Sequence, residues 1–103
     1  MIQLSHLGRR TSYAQADWLP VVAPSPIREA AHRTIPKEAE EWDIERIVAD
    51  YADAAERMQA GGMDGVELEA YGHLLDQFWS PLTNHRHDEY GGSLDNRLRF
   101  ALA

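Results

Sequence analysis

The sequence predicts an α/β fold, and within that class a fragment of a (β/α)8 barrel. Three observations carry this. Two short segments of alternating apolar and polar residues flank a long amphipathic helical segment, the order of a parallel strand–helix–strand unit. The connections after the strands are long, whereas the helix ends in a tight Gly61-Gly62 turn. In a β/α barrel the loops after the strands build the working face. Finally, Gln3, Ser5, Glu67 and Glu69 occupy the strand faces opposite the apolar ones. An open sheet covered by helices on both faces would bury those carboxylates at a cost of several kcal/mol each, whereas a barrel turns them toward its mouth.

The elements follow in order. Met1–His6 alternates, with Ile2 and Leu4 opposite Gln3 and Ser5, and reads as a short strand ended by Gly8 and Arg9-Arg10. Residues 11–42 read as irregular, because Pro20, Pro24, Pro26 and Pro36 interrupt any long element. Trp18, Leu19, Val21 and Val22 are apolar enough to pack down. A loop of this length is more often functional than idle. Asp43 is the expected N-cap of a helix carrying Ile44, Ile47, Val48, Tyr51, Ala54, Ala55 and Met58 on one face. Its other face, with Glu45, Arg46, Asp50, Asp53, Glu56 and Arg57, is a solvated surface. Asp64–Ala70 is the second strand, with Val66 and Leu68 opposite Glu67 and Glu69. A polar bend, a short apolar turn and a charged loop lead to Ser93, the expected N-cap of a last helix showing Leu94, Leu98, Ala101 and Leu102 on one face. The first residue starts directly in strand and the last residues carry no helix stop. The expectation is one partial domain, residues 1–103, truncated at both ends.

Composition excludes several functions. A chain of 103 residues is one domain at most. The net charge of −7 argues against nucleic acid, whose phosphates demand a basic face. The absence of cysteine excludes disulfides, thiolate catalysis, zinc–thiolate sites and iron–sulfur ligation within this segment. No apolar run approaches the roughly 18 residues of a membrane span. The first residues lack the apolar core of a signal peptide, so a cytoplasmic location and no membrane partner are expected.

The run Gln3-Leu4-Ser5-His6-Leu7-Gly8-Arg9 resembles the third-strand motif of the old yellow enzyme family of flavin oxidoreductases. Gly61-Gly62-Met63-Asp64-Gly65-Val66-Glu67-Leu68 resembles that family's turn into its fourth strand. Gln77 to Asn84, then Arg86, Asp88 to Ser93, Asn96-Arg97 and Arg99-Phe100 are similar to its most recognisable loop. The nearer branch is the one with 2,4-dienoyl-CoA reductase and the amine dehydrogenases. Pro24 to Pro36 resembles a subgroup tied to demethylation of N-methylated amino acids. The resemblance implies an FMN-dependent (β/α)8 barrel, of which this chain is strand three, helix three, strand four and the start of helix four. A whole barrel needs about 250 residues, so the rest of the barrel is the first partner implied. NAD(P)H is a further implied cofactor, an iron–sulfur cluster has room only outside this segment, the substrate is a small molecule, and an oligomer stays open.

Gln3 matches the family's flavin-contacting glutamine, since an amide both donates to and accepts from the pyrimidine edge of the ring. The bland reading is a strand-end amide satisfied by backbone. His6 and Arg9 read as a structural ion pair with a carboxylate such as Glu67. The segment Glu69-Ala70-Tyr71-Gly72-His73 departs from the family's pattern, where a His and a His or Asn bind the substrate oxygen and a later Tyr gives a proton. Here Glu69 stands at the first position, Tyr71 near the second and His73 at the proton donor. A carboxylate repels an oxyanion and attracts a cation. Glu69, Tyr71 and His73 therefore suit an amine, with the Tyr71 ring adding a cation–π face and His73 exchanging a proton near neutral pH. Against this, Glu69 could simply pair with an arginine elsewhere. His85 and His87 lack the surroundings of a metal site. Arg86, Asp88 and Glu89 are expected to pair and stiffen their loop, Gly91-Gly92-Ser93 is a weak phosphate signal, and Phe78 and Trp79 pack beneath the loop.

The functional expectation is a segment of an FMN-dependent oxidoreductase that oxidises or demethylates a small N-methylated amine or amino acid. The alternatives are an NAD(P)H-dependent reductase of activated alkenes and a non-catalytic truncated fragment. The isolated 103-residue chain is expected to be inactive.

Overall fold

A computed structural model describes residues 1–11 and 20–103; Trp18 and Leu19 lie outside the described residues. Strand β1 (Ile2–Leu4) is followed by two very short strands, β2 (Val22–Ala23) and β3 (Lys37–Glu38). Helix α1 (Glu41–Ala60), strand β4 (Val66–Leu68), helix α2 (Leu74–Trp79) and helix α3 (Leu94–Leu102) complete the order. Strands β1 and β4 pair in parallel, with Ile2 opposite Val66, Gln3 opposite Glu67 and Leu4 opposite Leu68. The long helix between them makes this the strand–helix–strand unit expected from the sequence. Main-chain bonds from Ile2 N to Gly65 O (3.3 Å) and from Glu69 N to Leu4 O (2.9 Å) extend the pairing past the strand ends.

Helix α1 forms because its apolar positions recur at helical spacing: Ile44 and Ile47 are buried, and Val48, Tyr51, Ala54, Ala55 and Met58 are half-buried beside them. Its start differs from expectation. Glu40 is the N-cap, and Asp43 is the third residue of the helix. The Asp43 carboxylate reaches back to accept the Glu40 N–H at 2.9 Å and the Lys37 ammonium at 2.6 Å. A buried carboxylate in the first turn meets the positive end of the helix dipole, which makes this position as favourable for Asp as the cap itself.

The segment read as irregular contains the β2–β3 clasp, a parallel pair held by Lys37 N to Val21 O (2.7 Å) and Ala39 N to Ala23 O (2.8 Å). The apolar turn after β4 is the six-residue helix α2, whose Leu74, Leu75 and Phe78 are buried in the same core as Ile44 and Ile47. Ser93 caps α3 as expected, its hydroxyl accepting the Asn96 N–H at 3.2 Å. The expected apolar face of α3 is shifted. Phe100 is the buried residue, packed against Phe78 with ring centroids 4.5 Å apart and the rings tilted by 38°, while Leu94 and Leu102 are exposed. The large ring of Phe100 outcompetes the leucines for the core because it covers more apolar surface.

Arg86 ties the clasp to the C-terminal half. Its buried guanidinium donates through Nη1 to Ala39 O (2.6 Å) and Pro24 O (3.2 Å), and pairs through Nε and Nη2 with Asp88. Ser25 Oγ accepts the His85 N–H at 2.9 Å beside it. Gly91 closes the turn beneath: a Cβ there would lie 2.3 Å from the Arg86 carbonyl oxygen.

Candidate functional site

The loops that leave β1 and β4 run side by side, so the chemistry-bearing residues of both meet at one end of the parallel pair. Gln77 is the fastener. Its Oε1 accepts the Arg9 N–H (3.0 Å), and its Nε2 donates to Leu7 O and Gly72 O (3.1 Å each). Gly8 has a positive φ of 58°, and a Cβ there would sit 2.3 Å from Gln77 Oε1, so only glycine passes. Leu74 N bonds to His6 O (2.9 Å), and Gly72 N to Asp76 Oδ2 (3.0 Å). Glu69–His73 is thereby fixed against the end of β1.

Within this frame Glu69 and His73 come together. Glu69 Oε2 lies 2.9 Å from His73 Nδ1, and the side chains are 26% and 17% exposed. Ser5 Oγ lies 2.9 Å from the same nitrogen. Tyr71 is not part of the cluster. It is 85% exposed, and its hydroxyl has no partner among the described residues. Gln3 sits on β1 beside Glu67, exposed, two residues before Ser5. An amide with both a donor and an acceptor on an uncovered strand face fits what the polar edge of a flavin ring requires.

Two expectations fail. His6 and Arg9 do not pair with Glu67. His6 Nδ1 accepts the Gly8 N–H at 3.1 Å, and Arg9 Nη1 donates to Ile27 O at 3.2 Å. Burial pushes the His6 imidazole below its usual pKa, with the Arg46 charge adding to the effect, so the ring favours the neutral form and makes a poor ion-pair partner. In the Arg86 loop the Arg86–Asp88 pair forms, and it holds the Asp88 carboxyl below its usual range. Glu89 contributes its carbonyl oxygen, which accepts from Arg99 Nε at 2.9 Å, rather than its carboxylate. His85 and His87 are both exposed. Phe78 is fully packed and Trp79 half-buried against the core, as expected.

Neither Ser5 nor Gln77 stands out in the sequence as a site residue. Ser5 was visible as a polar residue on a strand face, but its partner lies 68 positions away and leaves no local trace. Gln77 had one signal, an amide in an otherwise apolar helical segment.

The whole chain, residues 1–103, matches the family described as NADH:flavin oxidoreductase / NADH oxidase. It is 74% identical over 102 residues to a protein named probable N-methylproline demethylase from Rhizobium meliloti (strain 1021), covering 99% of this chain and 15% of that protein. It is 49% identical over 102 residues to the multifunctional alkene reductase/demethylase OYE of Caballeronia cordobensis, again covering 99% and 15%. The solved structure of morphinone reductase in complex with tetrahydroNAD matches with a TM-score of 0.91 and 36% identity, over 97% of this chain and 32% of that one. The chain thus spans about 15% of the length of these curated relatives. Its fold is that of part of an α/β barrel.

Proposed function

This chain belongs to the NADH:flavin oxidoreductase / NADH oxidase family, and on that premise we propose that the whole protein is an FMN-dependent oxidoreductase that oxidises or demethylates a small N-methylated amine or amino acid. The observation that carries the reading is the Glu69–His73 pair, a carboxylate and an imidazole 2.9 Å apart at the end of β4. An anionic site attracts an ammonium group and repels an enolate-like oxygen. In this reading β1, α1, β4 and α3 are strand three, helix three, strand four and the start of helix four of the barrel. Residues 1–103 are a partial FMN-binding domain completed by the remaining strands.

Gln3 is the flavin contact, its amide facing the pyrimidine edge. When bound, oxidised FMN supplies the acceptor for a hydride. His73 exchanges the proton of the amine, and Glu69 sets the negative potential that draws the cation in. Tyr71, exposed beside them, offers its ring face to the same charge. The names of two relatives support this reading, since both contain the word demethylase.

Reduction of activated alkenes with NAD(P)H is the second reading, favoured by the relative whose name joins alkene reductase to demethylase. The full-length enzyme discriminates the two. Anaerobic addition of an N-methylated amino acid is expected to bleach the flavin's visible absorbance. Turnover of cyclohexenone with NAD(P)H and no bleaching by any methylated amine would overturn the amine reading. The 103 residues expressed alone are expected to be colourless and inactive, because most of a flavin pocket comes from other strands. A yellow, stoichiometrically loaded chain would contradict that.

A further inference from the structure

The cluster at the end of β1 holds one atom in an unusual position. His73 Nδ1 faces two oxygens at the same distance, Glu69 Oε2 and Ser5 Oγ, each at 2.9 Å. They come from different loops. Glu69 ends the second strand segment and Ser5 ends the first, and the main-chain bond from Glu69 N to Leu4 O (2.9 Å) brings the two together. Leu74 N to His6 O (2.9 Å) pins the residue after the histidine to the residue after the serine. The ring is therefore held by two side chains whose own segments are joined through the backbone.

The chemistry of the three groups determines where the protons lie. An ionised carboxylate only accepts hydrogen bonds. A 2.9 Å contact between Glu69 and Nδ1 is attractive only if Nδ1 carries the hydrogen. With Nδ1–H committed, the Ser5 oxygen can meet it only as a second acceptor. One N–H is then shared by two oxygens. The neutral ring must carry its lone pair on Nε2, which makes no hydrogen bond among the described residues.

We propose that Ser5 is a positioning residue: its hydroxyl, together with the Glu69 carboxylate, fixes His73 as the Nδ1–H tautomer and leaves Nε2 as the nitrogen that accepts the substrate's proton. The inference deepens the amine reading and rests on it for the identity of the substrate. A methylated ammonium group must lose its N–H before the neighbouring carbon can release a hydride. That proton moves to Nε2, the nitrogen keeps the freed electron pair, and the resulting imidazolium holds its charge against Glu69. The same arrangement explains why a serine suits this strand position. A side chain without a hydroxyl would leave the N–H with a single acceptor.

The test uses the full-length holoenzyme. In resting enzyme with 15N-labelled histidine, the two His73 nitrogens are distinguished by their chemical shifts, with His73→Asn giving the assignment. The expected pattern is a protonated Nδ1 and an unprotonated Nε2. Ser5→Ala, which leaves the N–H to Glu69 alone, is expected to shift the His73 nitrogen signals and lower kcat for a methylated amine by roughly three- to tenfold, the usual effect of losing one hydrogen bond, with KM little changed. Ser5→Thr, which keeps the hydroxyl, restores both. A resting enzyme with the hydrogen on Nε2 overturns the proposal, as does a Ser5→Ala enzyme with unchanged nitrogen shifts. The nitrogen spectrum needs no substrate, so an enzyme with the expected tautomer that ignores methylated amines refutes the amine reading while upholding the role of Ser5.

Discussion

Replacing Arg86 with alanine is expected to open the β2–β3 clasp. The guanidinium is buried and is the donor to two main-chain carbonyls, Ala39 O at 2.6 Å and Pro24 O at 3.2 Å. Truncation leaves both acceptors in a dry environment without a partner. Each such loss costs about 1–3 kcal/mol, so the pair should cost about 2–6 kcal/mol. The Asp88 pair adds little, because that carboxylate is 46% exposed and water screens it. Main-chain bonds from Lys37 N to Val21 O and from Ala39 N to Ala23 O also join the clasp's strands. The assay is hydrogen exchange of the full-length protein, read on peptides covering residues 21–40. In the variant, the Lys37 and Ala39 amides should lose between about thirtyfold and about 25,000-fold of their protection. Arg86→Lys should recover only part of this, since an ammonium cannot span both carbonyls in the geometry of a planar fork. Unchanged protection in Arg86→Ala would refute the reasoning, and would mean the clasp is held by its own main-chain bonds and the packing of Val21, Val22 and Ala39 without the arginine.

Other outcomes follow from the same geometry. Gly91→Ala drives a Cβ to within 2.3 Å of the Arg86 carbonyl, and should lower the thermal midpoint of the full-length protein and deprotect the same peptides. Gln77→Leu leaves the Arg9 N–H and the Leu7 and Gly72 carbonyls unpaired, and should lower both the thermal midpoint and the rate of flavin reduction by a methylated amine; a variant affecting neither would show that the two loops hold each other without it. Glu69→Gln should weaken cationic substrates far more than neutral ones, and equal loss for both would mark the carboxylate as purely structural. The His32 N–H, with its ring, holds Glu29 at about 2, below the 4.5 of an ordinary glutamate. A depressed carboxylate stabilises the fold fully above its ordinary value. Exchange of the Arg33 amide should therefore be slow relative to its intrinsic rate above about pH 4.5, lose protection as pH falls toward 2, and show no such step in Glu29→Gln.

The parts legible in the sequence are those whose signal repeats locally. Helix α1 announced itself through seven apolar positions at helical spacing, and Ser93 through the turn before it. The parallel pairing of β1 and β4 followed from the helix between them. Elements of two or six residues carry no period, so in the sequence the β2–β3 clasp and α2 look like loop and turn. Asp43 marks the right turn of α1 but not its cap, because a carboxylate at the cap and one three residues later answer to the same exposed N–H groups. In the site, Glu69 and His73 were legible because they depart from a family pattern within one short stretch. Their contact with Ser5, and the contacts of Arg86 with Pro24 and Ala39, depend on which distant segments the fold brings together. A side chain that binds main-chain carbonyls selects no particular residue type in its partner, so no pattern in the sequence marks the pair.

The route by which Arg86 reaches the clasp also orders events during synthesis. Its acceptor at Ala39 lies 47 positions upstream. At about 5–20 residues per second, translation separates the two by roughly 2–9 s. Throughout that interval the Ala39 and Pro24 carbonyls of the proline-rich segment around β2 and β3 lack their arginine donor. The arginine's lock on the clasp is therefore set late, and until it arrives the nascent chain presents two unmatched strand-end carbonyls to chaperones or to other nascent copies.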